Sequence, residues 1–237
     1  MTVIDPTITL ADLVTVHPEL GRVLERRRLD YCCHGGQSLQ EACATAGIDE
    51  RDVIAELEAE AGEPSSVEWA LLDAVDLVVH IDTVHHRYLW DEMPRLSELA
   101  AKVASVHGGR HPDLIDVAQV YEALRAELEP HLVKEERVLF PMIAALAKGG
   151  SVAAHCGTIQ APISVMWSEH DKAGDLLAEL RLLTHGYEVP DDGCASYHLL
   201  FKGLEEMEHD VHLHIMKENN RLFPLAVELE IATQLRA

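Results

Sequence analysis

The chain has 237 residues, 48% of them hydrophobic, with 19 Lys and Arg against 41 Asp and Glu and a formal net charge of −22. So acidic a chain is a poor partner for nucleic acid, which needs a basic face to displace counterions, and for an anionic membrane surface. It is long enough to bury a real core. It shows no run of about 18 apolar residues, no basic-then-apolar leader in Met1–Leu13 and only five cysteines, so the reducing cytoplasm is the expected compartment.

Taken in order, the apolar pattern is helical nearly everywhere, and period-two runs of β-branched residues are missing. Residues 1–61 read as short helices. Pro18 opens one that runs to about Arg28. Ser38 with Glu41 forms a capping box for the next, and Asp49 with Asp52 opens a third that stops at Gly62. Gly62-Glu-Pro-Ser-Ser66 reads as a linker, which divides the chain into an N-terminal helical domain at 1–62 and a second domain at 67–237. Beyond it come four long helices, at about 67–105, 112–147, 162–185 and 192–232, separated in part by Gly108-Gly109 and Gly149-Gly150. Long helices with short connections predict an all-α four-helix bundle. Pro94, Pro130, Pro141 and Pro224 predict kinks or early ends, because proline lacks a donor and clashes one turn back.

Within the second long helix, His131-Leu-Val-Lys-Glu135-Glu-Arg-Val-Leu-Phe-Pro141 returns 83 residues later as His214-Ile-Met-Lys-Glu218-Asn-Asn-Arg-Leu-Phe-Pro224, identical at six of eleven positions. Residues four apart share one helix face, so each copy places a histidine beside a glutamate. One such pair is more often a surface ion pair beside an apolar stripe. Two, each followed by Leu-Phe-Pro at the same offset, point to a duplicated metal half-site. On the third long helix the candidate is His170, with Met166, Ala173 and Gly174 as its small or apolar neighbours. On the first, His80, His85 and His86 all remain open, although six residues turn about 600° and keep His80 and His86 off one face.

Four imidazoles and two carboxylates are too many ligands for a tetrahedral zinc and too few oxygens for a calcium or magnesium cage. Mixed nitrogen and oxygen ligation suits non-haem iron, with manganese as competitor. Two carboxylates bridging two metals would also neutralise charges that are costly to bury alone. A ferritin-like plan needs two Glu-x-x-His motifs, and Glu206-Met-Glu-His209 stands alone, so it is set aside as incidental. Cys32 and Cys33 are adjacent and cannot easily close a disulfide with each other. They read either as ordinary reduced thiols at a turn or as reactive, metal-binding thiols.

These residues are similar to the pattern of the RIC (repair of iron centres) family over nearly the whole chain. Leu29-Asp-Tyr-Cys-Cys33 resembles the signature of that family's N-terminal domain. Lys134–Ile143, Pro162–Met166, Ser168–Asp171, Glu218–Asn220 and Leu222–Pro224 resemble its hemerythrin-like domain. The resemblance implies two non-haem irons, oxo-bridged, on His86, His131, Glu135, His170, His214 and Glu218, with Glu135 and Glu218 bridging. His86 is selected because Met93-Pro94-Arg-Leu96 follows at the family's spacing. His107 also falls on a family histidine, but it lies roughly 30 Å from His86 along a straight helix and stays outside the ligand set. His34 stands where glycine is more familiar, adding a proton donor or ligand beside the thiols.

The function so implied is repair of iron–sulfur clusters damaged by nitric oxide or oxidative stress, by iron donation, with Cys32 and Cys33 receiving or relaying iron or supplying reducing equivalents. Damaged iron–sulfur proteins are the expected partners, and nitric oxide or O₂ the expected small ligands. A homodimer is compatible with these features. Two rivals are nitric oxide reduction at the two irons and a hemerythrin-like O₂ or nitric oxide sensor. A sensor would be favoured by an attached signalling domain, and none is visible in the sequence.

Overall fold

The computed structural model describes residues 3–62, 68–150 and 157–235. Four short helices come first: α1 (Leu10–Val16), α2 (Gly21–Arg26, entered through a 3₁₀ turn at Pro18–Leu20), α3 (Leu39–Ala46) and α4 (Glu50–Glu60). Their ends follow local chemistry. Arg28 takes a left-handed φ of 57° just after α2 ends. The Ser38–Glu41 capping box is present in full, and Asp49 caps α4. Gly62 donates its N–H to Glu19 at 3.0 Å. The rest of the expected linker, 63–66, lies outside the described residues.

Four long helices follow. α5 runs as Ala74–Ile81, a π turn at Asp82–His86, then Arg87–His107. α6 runs as Asp113–Lys134, a π turn at Glu135–Leu139, then Phe140–Ala147. α7 is Gln160–Leu183. α8 runs as Ala195–Lys217, a π turn at Glu218–Leu222, then Phe223–Gln234. No β-strand occurs among the described residues, and the fold is the expected all-α bundle with short N-terminal helices. The first long helix begins later than the apolar pattern suggests. Asp73 accepts from the amides of Val75 and Asp76 and caps it there, leaving Glu68–Leu71 as a separate 3₁₀ turn.

The helices continue through all four prolines. Pro94 and Pro130 lie inside helical stretches, whereas Pro141 and Pro224 each stand two residues beyond the end of a π turn. The carbonyls one turn back, of Arg137 and Asn220, fall within those widened turns, where a proline ring meets less resistance.

Two apolar clusters hold the bundle. The larger joins residues of the short helices, such as Leu13, Leu24 and Leu57, to bundle residues such as Leu204, Val211 and Ile215. The smaller closes the other end, with Leu77, Ile81, Phe140, Ile163 and Phe223. Neither cluster includes the buried histidines and glutamates at 86, 131, 135, 170, 214 and 218.

The short helices also dock through polar groups. Glu25, buried, accepts from Tyr31 Oη at 2.8 Å, from His209 Nδ1 at 2.8 Å and from His212 Nδ1 at 3.4 Å. Glu206 pairs instead with Lys202, so Glu206-x-x-His209 contributes nothing to the centre. Burial alone would raise the Glu25 carboxyl, but His209 and His212 hold it well below the ordinary carboxylate range. Glu25→Ala strands three polar side chains in the interface and is expected to cost about 3–5 kcal/mol of stability in denaturant melts. A change smaller than about 0.5 kcal/mol, the size of an ordinary surface substitution, would mean that docking does not depend on this network.

Candidate metal centre

Each long helix contributes to one buried polar layer. His86 stands at the end of the α5 π turn, and Glu135 and Glu218 begin those of α6 and α8. His131 and His214 lie one turn before their glutamates, and His170 sits mid-way along α7. All six side chains are at most 4% exposed.

The ligand atoms form two overlapping groups, one of His86, Glu135, His214 and Glu218, the other of His131, Glu135, His170 and Glu218. Both glutamates belong to both groups. The Nε2 atoms of His86 and His214 are 3.2 Å apart, as are those of His131 and His170. Two nitrogens bound to one ion at about 2.1 Å lie roughly 3.0–3.4 Å apart, so each histidine pair has the separation of neighbouring ligands. The four carboxylate oxygens of Glu135 and Glu218 are buried without a hydrogen-bond partner, a costly state that cations relieve. The residues therefore fit a pair of cations that share two carboxylates.

Electrostatics agree. Burial would lower His131, yet the charge on Glu135 and the bond to Glu169 raise it to about 9. Burial likewise opposes a rise at His86, and the Glu135 carboxylate overcomes it. The carboxylates draw positive charge into the layer, and a bound metal would compete there with protons.

Beyond the ligand atoms, a repeating arrangement orients the rings. Glu136, next to Glu135, accepts from His86 Nδ1 at 3.2 Å. Glu169, next to His170, accepts from His131 Nδ1 at 3.0 Å and is also paired with Lys134. Asn219, next to Glu218, offers Oδ1 to His170 Nδ1 at 3.0 Å. Thus the sequence neighbour of a candidate ligand on one helix steers a candidate ligand on another, which turns Nε2 inward. His85, the neighbour of His86, instead stacks flat on His214, with ring centroids 5.5 Å apart and planes 5° from parallel.

The structure brings His86, His131, Glu135, His170, His214 and Glu218 together. The other two histidines left open on the first long helix go elsewhere. His85 meets Asp210 Oδ1 at 2.8 Å and Lys217 Nζ at 2.7 Å, and His80 meets Lys217 Nζ at 3.0 Å. Burial lowers Lys217 to about 8. Lys134 and Lys217 share a position in the repeat but not a role. His107 faces Cys194 Sγ at 3.2 Å, apart from the six. Cys32 and Cys33 are not in the layer either, but Asn219 Nδ2 donates to the Cys32 carbonyl at 3.2 Å, so one side chain joins the thiol loop to His170. Sequence reasoning missed Glu136, Asn219 and Lys217. For the first two a signal exists, since each polar residue directly follows a candidate ligand.

Comparison with known proteins agrees with this geometry. Residues 77–226 match the hemerythrin HHE cation binding domain, and residues 7–61 match ScdA_N, a domain of unknown function. The chain is 34% identical over 218 residues to the iron-sulfur cluster repair protein YtfE of Cronobacter sakazakii, covering 92% of this chain and 95% of that protein. It is also 34% identical to the YtfE of Citrobacter koseri, covering 92% of this chain and 96% of that one. The chain belongs to the RIC family. The hemerythrin match spans all six residues of the buried layer, and the ScdA_N match contains both adjacent cysteines. In this RIC chain, Asn219→Ala is expected to weaken metal binding by about 10–100-fold without unfolding the bundle, because His170 loses the group that sets its ring. Metal titration against unchanged helicity checks this, and an unaltered affinity would reduce Asn219 to a tether for the thiol loop.

Proposed function

We propose that this chain is a non-haem di-iron protein that repairs iron–sulfur clusters damaged by nitric oxide or oxidative stress, by donating iron. The observation that carries the reading is the pair of overlapping ligand groups that share Glu135 and Glu218. Likeness to proteins named for iron–sulfur cluster repair supplies the biological direction. The ligands would be His86, His131, Glu135, His170, His214 and Glu218, with an oxo bridge between two irons. Once the pair is in its ferrous state, with the bridging oxygen protonated, it would supply exchangeable Fe²⁺ and open coordination positions for nitric oxide or O₂. Imidazole and carboxylate hold iron less firmly than a thiolate cage, which suits a donor. Cys32 and Cys33 would act in the handover to a damaged iron–sulfur protein. Free thiols among the described residues support a reading of this work as cytoplasmic, and no described helix is long and apolar enough to cross a membrane.

One iron-loaded sample tests the reading under anaerobic conditions, in parallel assays of iron transfer to an apo iron–sulfur protein and of nitric oxide consumption. Donation predicts transfer matched by iron lost from the bundle. Turnover of nitric oxide with no transfer would replace donation by nitric oxide reduction.

We also read 1–62 and 67–237 as separate domains. A chain beginning at residue 67 should keep its iron but melt earlier than the full chain, since it loses the apolar contact and the Glu25 network. Loss of iron under mild conditions would make the two parts one unit.

A further inference from the structure

A cleft of about 780 Å³ lies between the thiol loop and α7, and the metal centre does not explain it. Its walls include Cys32, Cys33 and His34 on one side and Asp171, Asp175 and Glu179 on the other. Ligand atoms of Asp30, Cys32 and Cys33 all lie within 4.8 Å of one another. The two sulfurs are 3.7 Å apart, and both thiols are free. Two sulfurs bound at about 2.3 Å to one tetrahedral ion stand about 3.8 Å apart. The pair is therefore spaced to share an ion.

The loop is built around the Asp30 carboxylate. Its Oδ1 accepts from the amides of Cys32 at 3.0 Å and Cys33 at 2.8 Å, and from Cys32 Sγ at 3.1 Å. Its Oδ2 meets His34 Nδ1 at 2.6 Å. Gly35 lets the loop close, since a Cβ there would run into the Tyr31 carbonyl and crowd Asn220. Asn219 and Asn220 both donate to the Cys32 carbonyl, which anchors the loop on the helix that carries Glu218. Contact with Cys33, burial and the Asp30 charge keep the Cys32 thiol protonated well above its ordinary range, so an arriving cation must displace that proton.

We infer that Asp30, Cys32 and Cys33 form a second cation site, a thiolate landing place for Fe²⁺ between the bundle and a client, with His34 steering the Asp30 carboxylate. This rests on the iron-donation reading above. The step is ligand exchange. Fe²⁺ leaves imidazole and carboxylate ligands and gains two sulfur ligands, while two thiol protons pass to solvent and no electron moves. Softer thiolates give the exchange its direction, and the acidic wall of the cleft attracts a cation on its way.

The test uses the full chain, loaded with iron and assayed for iron content before Co²⁺ is titrated in. The expected result is a sulfur-to-cobalt charge-transfer absorption that saturates at one equivalent, with the bundle's iron unchanged. Cys33→Ala, at a half-buried position that tolerates truncation, and the Cys32→Ala/Cys33→Ala variant should lose that absorption while keeping their helicity and iron. His34→Ala should keep the absorption but weaken cobalt binding by about tenfold or more, the usual effect of removing a group that orients a ligand. Absence of the absorption, or its persistence in the double variant, would overturn the site. A chain that never held iron would have failed at the earlier assay, and that failure would count against the di-iron reading instead.

Discussion

Glu135→Ala and Glu218→Ala are each expected to empty the centre of iron, whereas Glu206→Ala leaves it full. Each glutamate belongs to both candidate ligand groups, so one truncation would take an oxygen from both metal positions. Loss of a group that merely orients a ligand costs about 10–100-fold in affinity, so loss of a shared ligand should exceed about 100-fold. Glu206 is half exposed beside Lys202 and serves as the control. Iron content and the optical bands of the loaded protein measure the outcome, and equal losses in all three variants would sink the bridging assignment. A zinc-only site by anomalous scattering would do the same.

A thermodynamic signature should accompany the loss. Metal-free wild type buries two carboxylates whose four oxygens lack hydrogen-bond partners. Glu135→Gln removes one of those charges at nearly constant shape. The metal-free variant should therefore be no less stable than metal-free wild type, because the facing histidines, which the carboxylate keeps protonated, can lose those protons once its charge is gone, and no ion is stranded. With iron the order should reverse, since only wild type gains the full stabilisation of bound metal. A variant less stable in both states would mean that Glu135 supports the fold rather than the metal.

Much of this arrangement is legible in the sequence. The 3.6-residue apolar period and the glycine breaks predict four long helices. The His131–Glu135 and His214–Glu218 copies predict inward-facing pairs on α6 and α8. His86 is not reachable by counting turns. The π turn at Asp82–His86 widens the helix and rotates the residues beyond it, so an ideal helical wheel places His80, His85 and His86 wrongly relative to the core. Resemblance selects His86 where periodicity does not. Asn219 and the Glu25 network are hidden for another reason. Asn219 reaches His170 across 49 residues of sequence and Glu25 reaches His209 across 184, partners that only tertiary packing brings near.

The Cys32→Ala/Cys33→Ala variant is expected to keep the iron and optical bands of the bundle yet restore damaged clusters poorly. The thiols lie outside the six-residue layer, so their removal takes no ligand from it. Among the described residues, their hydrogen-bonded link to the centre is the backbone carbonyl of Cys32, which alanine retains, so the Asn219 bridge to His170 survives the substitution. That separates this variant from Asn219→Ala, which keeps both thiols but frees the ring. The two predict opposite phenotypes. One holds iron and cannot pass it on, and the other presents an intact thiol loop beside a centre that holds iron weakly. Iron retention after gel filtration, set against recovery of activity in a damaged iron–sulfur enzyme, distinguishes them. Normal recovery by the cysteine variant would make iron release from the bundle the whole mechanism. Loss of its optical bands would mean that the thiol loop helps build or cover the metal layer, and the division of labour between the two ends of Asn219 would have to be abandoned.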